Sequence, residues 1–207
     1  MIRFSLLFFF FFVTFFGFSQ SAPKTDGYEI VRQDDRVFLY ERWADFPGTT
    51  TEARGLKIVF SVATTLDKML TMVTEESKLK TWQKNLAEFK RYPKNDTAWH
   101  VYTWYKMPWP LTDQDYYAKY RMTERTPNRI VITFEPDVNE KVAPVREKIN
   151  RMQAYGKWVL EKTNTGKTKV TYIITGEPVK FPRSVTDNIV RNNVMSTMND
   201  LITVVEK

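Results

Sequence analysis

The sequence predicts an α+β domain in which a curved antiparallel sheet wraps around one long C-terminal helix. Three observations carry that reading. Residues 182–207 hold a sustained amphipathic helical pattern, residues 86–176 break into strand-like runs joined by short turns, and two short helical signals at 64–82 separate those runs from an earlier hairpin. Strand runs bounded by Gly, Pro, Asn and Asp, with one long apolar-striped helix left to cover, make a sheet packed on a helix the economical solution.

The helix is the clearest element. Val190, Val194, Met198, Leu201 and Val205 recur at steps of three or four, and Ile189, Met195 and Ile202 widen the stripe. Arg183, Asp187, Arg191, Asn192, Asn199 and Glu206 lie mostly on the other side, which is expected to be wet. Ser184 and Asp187 have capping-box spacing and Pro182 stands just before them, so the start is expected near Val185. About twenty residues at roughly 1.5 Å each require a facing surface roughly 30 Å long.

Residues 1–19 read as an export signal: Arg3, an apolar run from Leu6 to Phe18 dominated by Phe, then Gly17 and Ser19 before a cut at Gln20. A retained anchor is the alternative, and the run is short for the roughly 20 residues of a span. Residues 20–207 are then expected to form one domain, periplasmic or secreted, and monomeric. The chain has no cysteine, so packing alone must hold the fold and a lipid-modified N-terminal cysteine is excluded. Its 31 Lys and Arg against 24 Asp and Glu give a net charge of +7, which serves solubility or contact with an anionic membrane surface better than nucleic acid.

Taken in order, 20–36 is polar and carries no strand signal, 37–43 and 51–62 form a hairpin across Pro47-Gly48, and Thr64 with Asp67 starts a short helix reaching Val73. A second helix occupies 75–82. Strands are expected at 86–92, 99–107, 115–125, 129–137, 150–162 and 167–176, with turns at Thr126-Pro127-Asn128 and Asn164-Thr165-Gly166. Short loops make the sheet an antiparallel meander. Alternation places Tyr116, Ala118, Tyr120 and Met122 on one face, continued by Ile130, Ile132 and Phe134, by Met152, Ala154, Gly156, Trp158 and Leu160, and by Val170, Tyr172 and Ile174. Trp99, Val101, Thr103, Tyr105 and Met107 join that inner face.

Chemistry-bearing residues are sparse. His100 is the sole histidine and lies on the outer face of its strand, so zinc, copper and His-dependent nucleophilic sites have no ligand set or base. Asp113 and Asp115 at a strand start lack the dense oxygen ligands of a calcium site and read as turn-capping carboxylates. Phosphate-binding glycine loops are absent. No catalytic residue, metal or cofactor is expected. Lys78, Lys80, Lys84, Lys90, Arg91 and Lys94, with Trp82 and Trp109, make either a solvated basic face or a membrane-contact patch.

The turn Met107-Pro108-Trp109-Pro110-Leu111-Thr112-Asp113-Gln114-Asp115 resembles the Pro-aromatic-Pro turn and following Arg-Asp strand start of the START, or StAR-related lipid-transfer, domains, with Gln114 in place of the Arg. Gly156-Lys157-Trp158 is similar to that family's Gly-x-Trp strand, Thr168-Lys169-Val170-Thr171-Tyr172 to its Thr-x-Val-x-Tyr strand, and Glu177-Pro178 followed by Pro182 to the turn before its lid helix. Trp82-Gln83 stands where the family has Trp-Asp. The likeness covers roughly 37–207 in the right order. It departs at Gln114, in the missing glycines of 177–182, and in the short segment before residue 37, which suits a bacterial-type exported member.

The resemblance implies a helix-grip fold enclosing an apolar tunnel that holds one lipid or other hydrophobic molecule and is closed by the C-terminal helix. On that implication the ligand-binding residues are Tyr120, Met122, Phe134, Met152, Trp158, Tyr172, Met195 and Met198. Alternation alone cannot separate a cavity wall from a filled core, and without the resemblance it favours the filled core. The wider superfamily includes cyclases and hydrolases, so an enzyme acting on a hydrophobic substrate is the alternative function. An inward-facing Asp, Glu or Arg would favour it, and the sequence places only tyrosines and Thr103 inside.

Overall fold

Tight turns set the topology. In the turn after Thr163, Gly166 adopts φ +76°, a left-handed conformation that costs glycine nothing, and the amide of Thr163 donates to the Lys167 carbonyl at 2.8 Å. The computed structural model describes residues 26–109, 111–178 and 182–207. The expected export signal lies outside the described residues, as does Pro110 of the resemblance-bearing turn. Within them the order is β1 (Glu29–Gln33), β2 (Val37–Asp45), β3 (Glu52–Val62), α1 (Leu66–Thr74), α2 (Glu76–Leu79), β4 (Leu86–Asn95), β5 (Ala98–Tyr105) and β6 (Gln114–Arg125). There follow β7 (Arg129–Pro136), β8 (Asn150–Arg151), β9 (Ala154–Lys162), β10 (Thr168–Gly176) and α3 (Arg183–Val205). The sheet runs β1-β2-β3-β10-β9-β7-β6-β5-β4, antiparallel throughout, with β8 alone added parallel to the start of β6.

The inner face carries the core. Leu39, Ile58, Phe60, Trp99, Val101, Ala118, Ile130, Ile132, Leu160 and Val170 are buried there, against Met198, Leu201, Ile202 and Val205 of α3 and Met69 and Met72 of α1. Period-two alternation in the strands meets a helical stripe, so both patterns are consumed by one interior. Gly156 marks its tightest point. A Cβ there would lie 2.2 Å from the Ile173 carbonyl oxygen and 2.4 Å from Cζ of Phe134, so the Phe134 ring occupies space that any side chain at 156 would need.

Four local expectations need correction. The polar segment before residue 37 contains β1, which pairs with β2 through a register shift between Ile30 and Arg32. The run expected as one strand over 150–162 breaks at Met152-Gln153, because β8 pairs with β6 whereas β9 joins β7 and β10. The first helix is capped by Thr65, whose hydroxyl accepts from the Lys68 amide at 3.2 Å, and Thr64 stands outside it. At the start of α3 no capping box forms. Pro182 is the N-cap, and Asp187 is drawn instead to Arg54 and Arg191.

The polar side of α3 is accordingly not simply wet. Arg191 donates to both carboxylate oxygens of Glu41 at 3.0 and 2.7 Å, and Arg183 bonds Glu52 at 2.6 Å. Farther along, Asn192 takes Arg32, Asn199 donates to Asp34 at 2.7 Å, and Glu206 accepts from Arg36 at 2.6 Å. The hairpin β1–β2 therefore grips the helix from outside the core.

The opposite side of the sheet is also covered. Asp115, 1% exposed, is bound by Arg151 through Nε at 2.7 Å and Nη2 at 3.1 Å and by the Tyr102 hydroxyl at 3.0 Å. Arg151 also donates to the carbonyls of Ala143 and Pro144, which pins the segment between β7 and β8 across Tyr102 and Tyr117. Asp115 thus differs from the turn-capping role expected of it. Asp113 does cap its turn, accepting from the Met107 amide at 3.1 Å and from Trp104 at 3.2 Å.

Candidate functional site

Between the N-terminal half of α3 and the concave sheet lies a cavity of about 500 Å³. The helix presents Thr186, Ile189, Val190, Asn193, Val194 and Met198 to it, positions separated by three and four residues and so aligned on one stripe. Facing them are Leu56 and Ile58 of β3, Trp158 of β9, and Tyr172 and Ile174 of β10. Tyr105, Met107, Gln114 and Tyr116 close one side, and Trp82, Gln83 and Asn85 the end beneath α2. The wall is mostly apolar, with few polar groups, as small-molecule sites are.

Of the eight residues expected at the site, Met152, Trp158, Tyr172 and Met198 lie on this wall. Tyr120 lines a smaller annex of about 40 Å³ that shares Gln83, Tyr105, Tyr116, Trp158 and Tyr172 with the main cavity. Met122, Phe134 and Met195 lie on neither wall and belong to the packed core. Phe134 is held against Gly156 and stacks on Tyr120 at 5.1 Å, Met122 packs from farther along β6, and Met195 stands off the cavity stripe of α3.

An aromatic ladder crosses five strands, bordering the cavity and its annex at some rings and packing into the core at others. Trp158 stacks on Tyr172 at 4.0 Å, Tyr172 meets Phe134 at 6.2 Å, Phe134 stacks on Tyr120, and Tyr120 stacks on Trp99 at 5.8 Å. Their polar ends gather at the boundary between cavity and annex. The Tyr105 hydroxyl donates to Oε1 of Gln83 at 2.8 Å, and the hydroxyls of Tyr116 and Tyr120 share a hydrogen bond of 2.7 Å. Burial pushes the phenols of Tyr105, Tyr120 and Tyr172 well above the usual value of 10 and raises Tyr116 also, so all four are neutral across the physiological range.

Among the described residues, charge on the cavity wall is confined to the mouth. Glu52, Arg54, Glu177 and Arg183 lie on the cavity wall where β3 meets the start of α3. The guanidinium of Arg183 sits 3.2 Å over the ring of Trp43, another mouth residue. Behind them Arg54, Asp187, Arg191 and the buried Glu41 form one network of alternating sign. These charged side chains correct the expectation that only tyrosines and Thr103 face inward. Their positions in an apolar-polar alternation carry no mark of a cavity, since the mouth is created by the approach of α3 from far along the chain.

The remaining sequence candidates resolve simply. Trp82 is buried and donates its indole N–H to the Met72 carbonyl at 3.0 Å, so it is not at the surface. Trp109 is 91% exposed. Within the basic cluster Lys80 pairs with Glu76, Lys84 with Asp200 and Lys90 with Glu88, while Arg91 lies 4.7 Å over Trp99. His100, on the outer face, stacks on Tyr117 and bonds Asp137 at 2.9 Å. Among the described residues no group of three or more His, Cys, Asp or Glu is placed to hold a metal ion, and no helix is long and apolar enough to cross a membrane.

No family model matches the chain. An uncharacterized protein of Pseudomonas aeruginosa is 24% identical over 194 residues, covering 93% of each chain. Among solved structures, human StAR-related lipid transfer protein 5 superposes with a TM-score of 0.77 at 17% identity over 88% of each chain. A STAR-related lipid transfer protein fragment from Xanthomonas axonopodis gives 0.72 at 18% identity, covering 88% of this chain and all of the other. An aromatase/cyclase from a Streptomyces species gives 0.55 at 11% identity over 74% and 94%. The chain has the helix-grip fold of START domains, and its cavity lies under the terminal helix of that fold.

Proposed function

We propose that this protein binds one hydrophobic small molecule, a lipid or similar compound, in the cavity beneath α3 and carries or sequesters it without chemical change. The observation that carries the reading is the mostly apolar cavity of about 500 Å³ in a START-type fold. Small-molecule pockets typically span roughly 300–1,000 Å³, so this one is of ordinary size for a single compact ligand. One acyl chain or one compact ring system suits it. Residues 1–19 export the protein, which works as a periplasmic or secreted monomer.

Loading takes place by displacement of the N-terminal half of α3, which rims the cavity, at an anionic membrane surface. Trp109 follows Met107 of the cavity wall by two residues and offers an exposed indole to the headgroup region. Replacing it by alanine is expected to weaken binding to phosphatidylglycerol vesicles severalfold, and unchanged binding would remove it from the interface.

Native mass spectrometry of the mature protein from its own host, followed by denaturing organic extraction, tests the proposal. A stoichiometric extra mass that partitions into solvent is the expected result. A bare mass that stays bare after incubation with envelope lipids would overturn the carrier reading.

A second reading, an enzyme acting on a hydrophobic substrate, draws on Arg54 and Glu52 at the wall and on the structural likeness to an aromatase/cyclase. Arg54 is engaged by Asp187, Glu52 by Arg183, and the buried phenols are poor proton donors at neutral pH. Recovery of a cargo altered by incubation with the protein would favour catalysis.

A further inference from the structure

We infer that the floor of the cavity is a subsite for a neutral oxygen, a hydroxyl or carbonyl at the inner end of the ligand. This deepens the carrier reading and rests on it. A purely apolar cargo would be served by an apolar floor, yet the boundary between cavity and annex gathers the phenols of Tyr105, Tyr116, Tyr120 and Tyr172. Thr103 adds a hydroxyl to the annex wall. It is 1% exposed and has no hydrogen bond of proper geometry, although it lies beside the phenols of Tyr105 and Tyr116. Buried polar groups are almost always paired, so these five hydroxyls crowded around this small void with few protein partners favour a guest that brings a polar atom to it.

The chemistry of that guest atom follows from what surrounds it. Among the described residues, no side chain on the annex wall carries a formal charge. A carboxylate or phosphate inserted there would be desolvated without a counter-ion, a large penalty. Hydroxyls donate and accept, so the floor takes a carbonyl or a hydroxyl equally. Any ionic group of the ligand belongs at the mouth instead, where Arg54 and Arg183 alternate with Glu52 and Glu177. The cavity therefore selects orientation: neutral oxygen inward, charge outward.

A pyrene series tests this, since its members are rigid, mostly apolar and compact enough for a cavity of about 500 Å³. Pyrene, 1-hydroxypyrene and 1-pyrenecarboxylate are titrated against the mature protein at pH 6.5 by their own fluorescence and by quenching of tryptophan. The hydroxyl is expected to tighten binding about tenfold over pyrene, the gain of one or two net hydrogen bonds. Thr103→Val and Tyr116→Phe, both nearly isosteric, are each expected to bring the hydroxypyrene-to-pyrene ratio down at least threefold. The carboxylate's affinity should fall with Arg54→Gln and not with Thr103→Val. Circular dichroism and melting confirm that each variant is folded. If pyrene binds and the hydroxyl gains nothing, or the ratio survives both variants, the floor assignment fails while the carrier reading stands. If no member of the series binds, both fall.

Discussion

Removing the charge of Glu41 should loosen one half of α3 and leave the other in place. Glu41 is 4% exposed and receives two hydrogen bonds from Arg191, while Arg54 approaches it at 3.9 Å. Two unit charges at about 4 Å attract by about 4 kcal/mol at an effective dielectric of 20. Desolvation offsets part of that, and Asp187, 3.6 Å from Arg191, remains to neutralise the arginines in a Glu41→Gln variant. The expected cost of Glu41→Gln is therefore about 2 kcal/mol, below the 3–5 kcal/mol seen when a fully buried pair is broken. With a urea m-value of about 2 kcal/mol/M the midpoint moves down by about 1 M. A double-mutant cycle with Arg191→Met isolates the pair, and a coupling of about 1.5 kcal/mol is expected. Hydrogen exchange should accelerate over 183–194 and stay slow over 199–205, which Asp34, Arg36 and Lys68 hold separately. Additive single-mutant effects, or equal acceleration along the whole helix, would show that the network does not fix the half of α3 that rims the cavity.

Three further outcomes follow from the same geometry. Gly156→Ala forces a methyl group into the Ile173 carbonyl and the Phe134 ring, and should cost about 3 kcal/mol, or roughly 10 °C in the melting temperature; a change below about 2 °C would mean the strand shifts freely. Val194→Trp places an indole in the cavity from its helical wall and should lower ligand affinity at least tenfold while the melting temperature stays within about 4 °C, measured by titration and calorimetry. The hydrogen bond from Arg36 holds the Glu206 carboxyl below its ordinary value of 4.5, so its contribution is present above that value and lost as pH falls through the folded value. Glu206→Gln should therefore flatten the melting temperature between pH 5 and about 3 relative to the parent, and parallel curves would refute the linkage.

Much of this architecture is legible in the chain because two periods suffice for it. The sets Tyr116-Ala118-Tyr120 and Ile130-Ile132-Phe134 alternate cleanly, and the stripe from Val190 to Val205 is helical, so the inner face and the terminal helix emerge from local pattern alone. β1 does not, since in Glu29–Gln33 only Val31 is half-buried against the core, and the strand is ordered by its pairing with β2 and the contact of Arg32 with Asn192. Asp115 with Arg151, and Glu41 with Arg191, are likewise matters of distant segments meeting. Facing inward is also not the same as bordering a void. Met122 and Phe134 share a face with Tyr120, yet whether a side chain meets a gap depends on how far the helix stands from the sheet, a distance that alternation does not encode.

The pairing of β3 with β10 joins Val62 to Thr168 and is the seam between the first hairpin and the rest of the sheet. From β4 to β10, β8 apart, each strand pairs with one close to it in sequence, whereas this seam closes a loop of about a hundred residues, a costlier closure. The helix that roofs the void comes after it in the chain. Without α3 the concave face of the sheet would have no roof, so the cavity exists only where that helix is docked. The void is thus a joint product of β3, near the start of the described residues, and α3, at their end, and no contiguous segment of the chain forms it alone.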